Sequence, residues 1–339
     1  MTKQDIIDAL TRDKKAPGVP LVVTCTSATL DMMDACGAEW PEAHFDSEKM
    51  ALLGSMPYEM YGLKSVKVPF DVVVEAEALG AQVFFGSKDI VPQVKHNYLK
   101  SADDLVMPAD LSKAGRIPVV LDAIRILKKK YNDIPVICNI MGPTSVASML
   151  YGFETLLLWM ATEDDSFNKV MQFLTDFIIG YSKLAEEAGA DVIQYGEAAA
   201  SGGILGKDRY EENITQFHRQ FADQLKVPVV MHICGDITSY LPILDSCNID
   251  SINFDQKTNM KTAKEILGGR VKATGNIDPV SVLLQGTPED VEKAVFQCLD
   301  DGADVLCPGC SLAPRTSHEN MKALVAAYEK YMSAKPGAK

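Results

Sequence analysis

Strand-length hydrophobic runs alternate with amphipathic helical segments along this chain, and that alternation restricts the fold more than any other feature. The runs are Leu21–Thr26, Ser65–Phe70, Val136–Met141, Asp191–Tyr195, Pro228–Cys234, Ser251–Phe254, Val271–Gly275 and Asp304–Cys307. Most are almost continuously apolar, as parallel strands covered on both faces must be. Helical patterns fill the intervals: Asp46–Tyr61, Arg116–Tyr131, Asp165–Ala188, Tyr210–Leu225, Asn259–Leu267, Pro288–Asp301 and Ser317–Met332. Several begin with a residue whose side chain can accept from the first free backbone N–H groups. Strand and helix repeated about eight times predict a (β/α)8 TIM barrel. A further run, Gln82–Phe85, is expected as a hairpin strand outside the barrel. A doubly wound open sheet is the alternative, but no GxGxxG follows the first strand, which argues against a dinucleotide-binding version.

One barrel with an N-terminal helical extension uses the whole length. The 339 residues, 47% of them hydrophobic, suffice for one large core, and no linker-like stretch divides them. We therefore expect a single domain over 1–339, with the barrel core at roughly 18–333. The net charge of -13 opposes nucleic acid and anionic membrane surfaces. The most apolar helical piece, Thr155–Ala161, is far short of a membrane span, and the mixed-charge N-terminus does not resemble a signal peptide. A cytoplasmic location is expected. With no export signal, the eight cysteines are not read as a disulfide scaffold, and most lie in apolar runs as core residues.

Two cysteines do not fit that description. His232 and Cys234 lie two apart at the end of the run that closes in Met231-His232-Ile233-Cys234-Gly235. On a strand they project to the same side, and imidazole nitrogen with thiolate sulfur is a donor set suited to zinc. Cys310 ends Cys307-Pro308-Gly309-Cys310, again where a strand closes. In a barrel all strand C-terminal ends open onto one face, so residues far apart in sequence can meet there. Three protein ligands with a free fourth position is the catalytic zinc pattern. A redox CxxC usually opens a helix after an early strand, and a zinc ribbon needs a second CxxC, which is absent. Cys307 is the alternative ligand to Cys310. Other polar residues at strand ends, Glu197, Asp255, Asn276 and Asp278, are candidates for the same face, with helix capping as the competing role for Asp255 and Asp278. His44, His96, His218 and His318 show no comparable pairing and are expected as surface or capping residues.

Taken together these motifs resemble the methylcobamide:coenzyme M methyltransferases, a branch of the uroporphyrinogen decarboxylase superfamily. The resemblance rests on His232-Ile233-Cys234-Gly235, Asp255-Gln256-Lys257 and the stretch Asp304 to Thr316. It extends to Trp40-Pro41-Glu42-Ala43-His44, Arg116–Leu121, Met141-Gly142-Pro143, Glu187–Asp191 and Gly275-Asn276, so it covers nearly the whole chain. It implies a uroporphyrinogen decarboxylase-like barrel and a zinc ion, Zn2+, held by His232, Cys234 and Cys310. An acidic residue, here Asp255, can fill the fourth position when substrate is absent. Relatives often carry Glu there, commonly carry Asp where this chain has Glu197, and have a small residue at the place of Cys307.

The resemblance further implies methyl transfer from a methylcobamide, carried on a partner corrinoid protein, to a thiol such as coenzyme M. A free thiol is mostly protonated at neutral pH, and coordination to zinc removes that proton. Coenzyme M bears a sulfonate, for which Lys257 and Arg315 are candidate partners, alongside Glu197 and Asn276 as substrate-binding residues. A pterin acceptor, tetrahydrofolate, is the alternative, although it has no thiol to activate. Uroporphyrinogen decarboxylation itself relies on an arginine-rich N-terminal segment, and Leu21–Asp46 contains no Lys or Arg. A non-catalytic protein with a structural zinc is the remaining reading, and it requires a closed, four-ligand site.

Overall fold

A computed structural model describes residues 1–26 and 28–334. Seven parallel strands form one curved sheet in the order β1-β4-β5-β6-β7-β8-β9. They are β1 (Val66–Val68), β4 (Val136–Met141), β5 (Val192–Gly196), β6 (Val229–Ile233), β7 (Ser251–Phe254), β8 (Lys272–Ile277) and β9 (Val305–Pro308). The first predicted run, Leu21–Thr26, is not a full strand. It nonetheless holds the eighth place, because Lys64 donates to the Leu21 carbonyl at 2.8 Å on one side. On the other, Val22 donates to Leu306 and Leu306 to Pro20, both at 3.0 Å. These bonds close the sheet into a barrel. The run at 82–85 pairs outside it, as β2 (Val83–Phe84) against antiparallel β3 (Gln93–Val94).

Local sequence accounts for the helix ends. The Asp46 carboxylate accepts from the N–H groups of Glu48 and Lys49, starting helix Ser47–Tyr61. Asp164 and Gly189 bracket Asp165–Ala188, the glycine in a left-handed conformation that ends it. The predicted helix Tyr210–Leu225 is two pieces, Lys207–Asn213 and Thr215–Ala222, meeting at Ile214.

The barrel interior is graded. At the N-terminal ends of the strands, helix Lys3–Leu10 presses Ile6, Ala9 and Leu10 against Val22, Ile137, Val192, Val230 and Val305. Alternation along each strand carries polar residues to the next interior level: Asn139, Gln194, His232, Asn253 and Thr274. The floor is thus apolar and plugged, and the polar groups gather towards the strand C-terminal ends.

Beside that face lies a buried charged network. Arg116 grips Asp71 with two bonds of 2.8 and 3.2 Å and Glu77 with one of 2.5 Å, its guanidinium lying over the Phe85 ring. His44 contacts the same Asp71 at 3.0 Å. Burial disfavours the Asp71 charge, but Arg116 and His44 outweigh it and hold the carboxyl well below the usual range. Two histidines therefore depart from expectation: His44 and His218 are fully buried, while His96 is exposed. Aromatic neighbours enclose both, Trp40 and Phe70 around His44, Tyr195 and Tyr210 around His218.

Glu75 lies next to this network without a cation of its own. Its Oε1 accepts from the Met141 N–H at 3.0 Å, and burial raises its pKa to about 7. A carboxyl raised in the folded state binds protons that the unfolded chain releases, so its penalty on stability grows between pH 4.5 and 7 and levels off above. Glu75→Gln, which keeps the acceptor oxygen, should raise Tm by an amount that increases over this interval. Equal gains at pH 5 and pH 8.5 would refute the assignment.

Candidate metal centre

Three donor atoms converge above the polar interior. His232 lies in β6, Cys234 follows its end, and Cys310 follows the end of β9. His232 Nε2 is 3.0 Å from Cys234 Sγ and 3.5 Å from Cys310 Sγ, and the two sulfurs are 3.7 Å apart. All three fall within 4.8 Å of one another, and among the described residues they are the one such group of potential ligands. Zinc–sulfur bonds of about 2.3 Å and zinc–nitrogen bonds of about 2.05 Å give tetrahedral edges of roughly 3.8 Å between sulfurs and roughly 3.5 Å between nitrogen and sulfur. Two of the three separations match these edges and the third is shorter, so the donor set fits a zinc ion. The imidazole is buried and both cysteines, which lie at strand C-terminal ends, are partly exposed.

Asn253 orients the imidazole. Its Oδ1 lies 2.6 Å from His232 Nδ1, so Nδ1 donates and Nε2 is left with a free lone pair for a metal. The Asn253 amide is itself fixed, donating to Thr274 O and to Cys307 Sγ at 3.2 and 3.1 Å, while Cys25 donates to its Oδ1 at 3.1 Å. Cys307 is therefore buried below the centre in a hydrogen-bond role, and the structure brings Cys310, not Cys307, to the ligand group.

The electrostatics favour a cation. The hydrogen bond from Cys234 and the adjacent His232 hold the Cys310 thiol well below the ordinary range, against burial. Cys234 is pushed up by its bond to Cys310 and by burial. Burial opposes charge on His232, yet Cys25, Cys234 and Cys310 overrule it and push its pKa up.

The other predicted residues are placed as follows. Asp255 is close but turned to the backbone: Oδ2 accepts from Gly235 N at 2.7 Å and Oδ1 from Lys257 N at 2.9 Å. It pins the loop carrying Cys234 rather than joining the ligands. Glu197 is fully buried and accepts from Thr144 N at 3.2 Å and from Ser145 N and Oγ at 3.0 and 3.1 Å. Burial raises its pKa to about 7. His218 lies 3.8 Å away but burial lowers it to about 3, so this contact is not an ion pair at neutral pH. Asn276 donates to Thr258 O at 2.9 Å. Asp278 accepts from Val280 N and Ser281 N, the capping-type role. Lys257 is exposed, and Arg315 is exposed and paired with Asp89 of the β2–β3 hairpin.

Asn253 was missed in the sequence, although Ser251-Ile252-Asn253-Phe254-Asp255 alternates polar and apolar residues and so places Asn253 on the face that carries Asp255.

Residues 1–331 match the family described as "Uroporphyrinogen decarboxylase (URO-D)", and the chain belongs to that family. Within it the chain is similar to named methyltransferases. It is 34% identical over 321 residues to a methylcobamide:CoM methyltransferase of Methanosarcina barkeri, covering 94% of this chain and 95% of that one. It is 32% identical over 316 residues to a methylated-thiol–coenzyme M methyltransferase of Methanosarcina mazei, covering 93% and 84%. A solved methyltransferase from Methanosarcina mazei superposes with a TM-score of 0.94 at 33% identity, over 98% of this chain and 99% of that one.

Cys310→Ala should lose stoichiometric zinc, whereas Cys307→Ala should keep it, measured by elemental analysis after desalting. Full zinc in Cys310→Ala, or loss in Cys307→Ala, would exchange the two cysteines. Asn253→Leu should weaken zinc affinity by roughly 10- to 100-fold, read by competition with a chelator.

Proposed function

We propose that this chain is a zinc-dependent methyltransferase that moves a methyl group from a methylated corrinoid protein to a small thiol such as coenzyme M. The observation that carries the reading is the partly exposed His232/Cys234/Cys310 group, two of whose three separations match tetrahedral edges around zinc. The names of the similar proteins support the same chemistry.

When bound, zinc supplies a soft Lewis acid that converts a coordinated thiol to its thiolate at neutral pH. Cys234 and Cys310 would hold the ion as thiolates and His232 as a neutral donor through Nε2, a set that would leave an incoming sulfur electron-rich. Asn253 keeps the His232 proton on Nδ1. Asp255 fastens the loop that positions Cys234. The acceptor sulfur then attacks the methyl carbon: the S–C bond forms, the Co–C bond breaks, and its electron pair stays on cobalt. The residues must hold sulfur and methyl at roughly 3–3.5 Å for this displacement.

The test is demethylation of methylcobalamin by the zinc-loaded protein, followed by the cobalamin spectrum, with coenzyme M, homocysteine and tetrahydrofolate offered separately. Turnover is expected with a thiol. Turnover with tetrahydrofolate alone, or equal rates after complete removal of the metal, would overturn the reading.

A further inference from the structure

Cys234 and Cys310 stand in sulfur-to-sulfur contact at 3.7 Å. A disulfide bond is about 2.05 Å long, so the two sulfurs have to approach by roughly 1.6 Å to form one. Neither cysteine is held within a strand, since Cys234 follows the end of β6 and Cys310 the end of β9. Side-chain rotation with a small shift of the two loops can close that gap without breaking any strand pairing.

The other six thiols are placed differently. Cys25, Cys138, Cys247, Cys298 and Cys307 are buried. Their polar partners are not cysteines. Cys25 donates to Asn253 Oδ1 and Cys307 accepts from Asn253 Nδ2, both at 3.1 Å. Cys298 donates to the Gly275 carbonyl at 2.9 Å, and Cys138 and Cys247 to those of Asn139 and Ile243 at 3.9 Å. Cys36 is partly exposed, as Cys234 and Cys310 are, but it ends helix Leu30–Cys36 and its sulfur accepts from the Ala38 N–H at 3.4 Å. Oxidants in solution act on accessible thiols and spare buried ones. Partial exposure and contact with a second thiol therefore coincide at the His232/Cys234/Cys310 group.

We propose that this group is also a redox switch with two mutually exclusive states, a dithiolate that holds zinc and a Cys234–Cys310 disulfide that does not. The oxidant is a small peroxide. One thiol attacks a peroxide oxygen, the O–O bond breaks, and a sulfenic acid forms as water leaves. The neighbouring thiol attacks the sulfenic sulfur, the S–O bond breaks, the S–S bond forms, and a second water leaves. Each sulfur loses one electron, the peroxide gains two, and both thiol protons end in the waters; from the zinc-bound dithiolate the two protons come from solvent instead. A dithiol reverses the oxidation by exchange. In the disulfide state His232 is the one donor of the three that remains, too few to retain the ion. The reduced state rests on the zinc reading above, whereas the disulfide depends on neither the metal nor the identity of the methyl acceptor.

The experiment treats reduced protein, zinc-loaded and metal-free, with hydrogen peroxide. Remaining thiols are then blocked with iodoacetamide under denaturing conditions and the peptides are mapped by mass. Both forms should yield a peptide pair joined through Cys234 and Cys310, and dithiothreitol should restore both thiols. The zinc-loaded form should release about one zinc per disulfide, read with a coloured chelator. Cys36→Ala, which removes the third partly exposed thiol, should give the same disulfide and the same release, and Cys234→Ser should give no disulfide. A cross-link to any of the other six cysteines overturns the switch. So does sulfinic acid at Cys310 of the wild type without a disulfide, or a disulfide in protein that keeps its zinc. If the reduced protein binds no zinc, the metal reading falls and the zinc-holding state with it, and the metal-free arm still decides whether the disulfide forms.

Discussion

Parallel strand register is the constraint on which this protein depends. Cys234 and Cys310 are 76 positions apart in sequence, yet β6 and β9 end at the same rim, and their sulfurs stand 3.7 Å apart. No local motif could achieve this. It requires every intervening strand to keep its pairing, His232 opposite Asn253, Asn253 opposite Thr274, Thr274 opposite Val305. A slip of one residue in any of them would turn its interior side chains outward. The same register sets Asn253 against His232, so the imidazole is oriented by its neighbouring strand and not by a flexible loop.

Charge is organised around that rim in two separate ways. Arg116, Asp71, Glu77 and His44 satisfy one another beside β1, tying the loop after that strand to the N-terminal segment. The metal group instead concentrates electron-rich donors. The first arrangement is closed and structural. The second is partly exposed, which is what the proposed reading requires of a catalytic zinc site.

Much of this was legible in the sequence, for identifiable reasons. Periodicity revealed the barrel because parallel strands buried on both faces read as unbroken apolar runs. The convergence of His232, Cys234 and Cys310 was legible because the first two have strand spacing and the third follows a strand end. Less visible was anything set by neighbours across the sheet. Burial of His44 and His218 depends on aromatic partners far away in sequence. Arg315 looked available from its position, but its partner Asp89 lies on a hairpin. The backbone N–H groups that Asp255 holds, on Gly235 and Lys257, were likewise hidden from its place at a strand end.

Helix Lys3–Leu10 has a consequence for the order of events. By filling the strand N-terminal ends with Ile6, Ala9 and Leu10, it turns the barrel into a blind well. Both reactants of the proposed transfer must use the same opening, and the corrinoid protein is far the larger. Once seated, it would cork the well. In the proposed transfer the small acceptor would therefore enter first, and its methylated form would leave only after the large donor had lifted away.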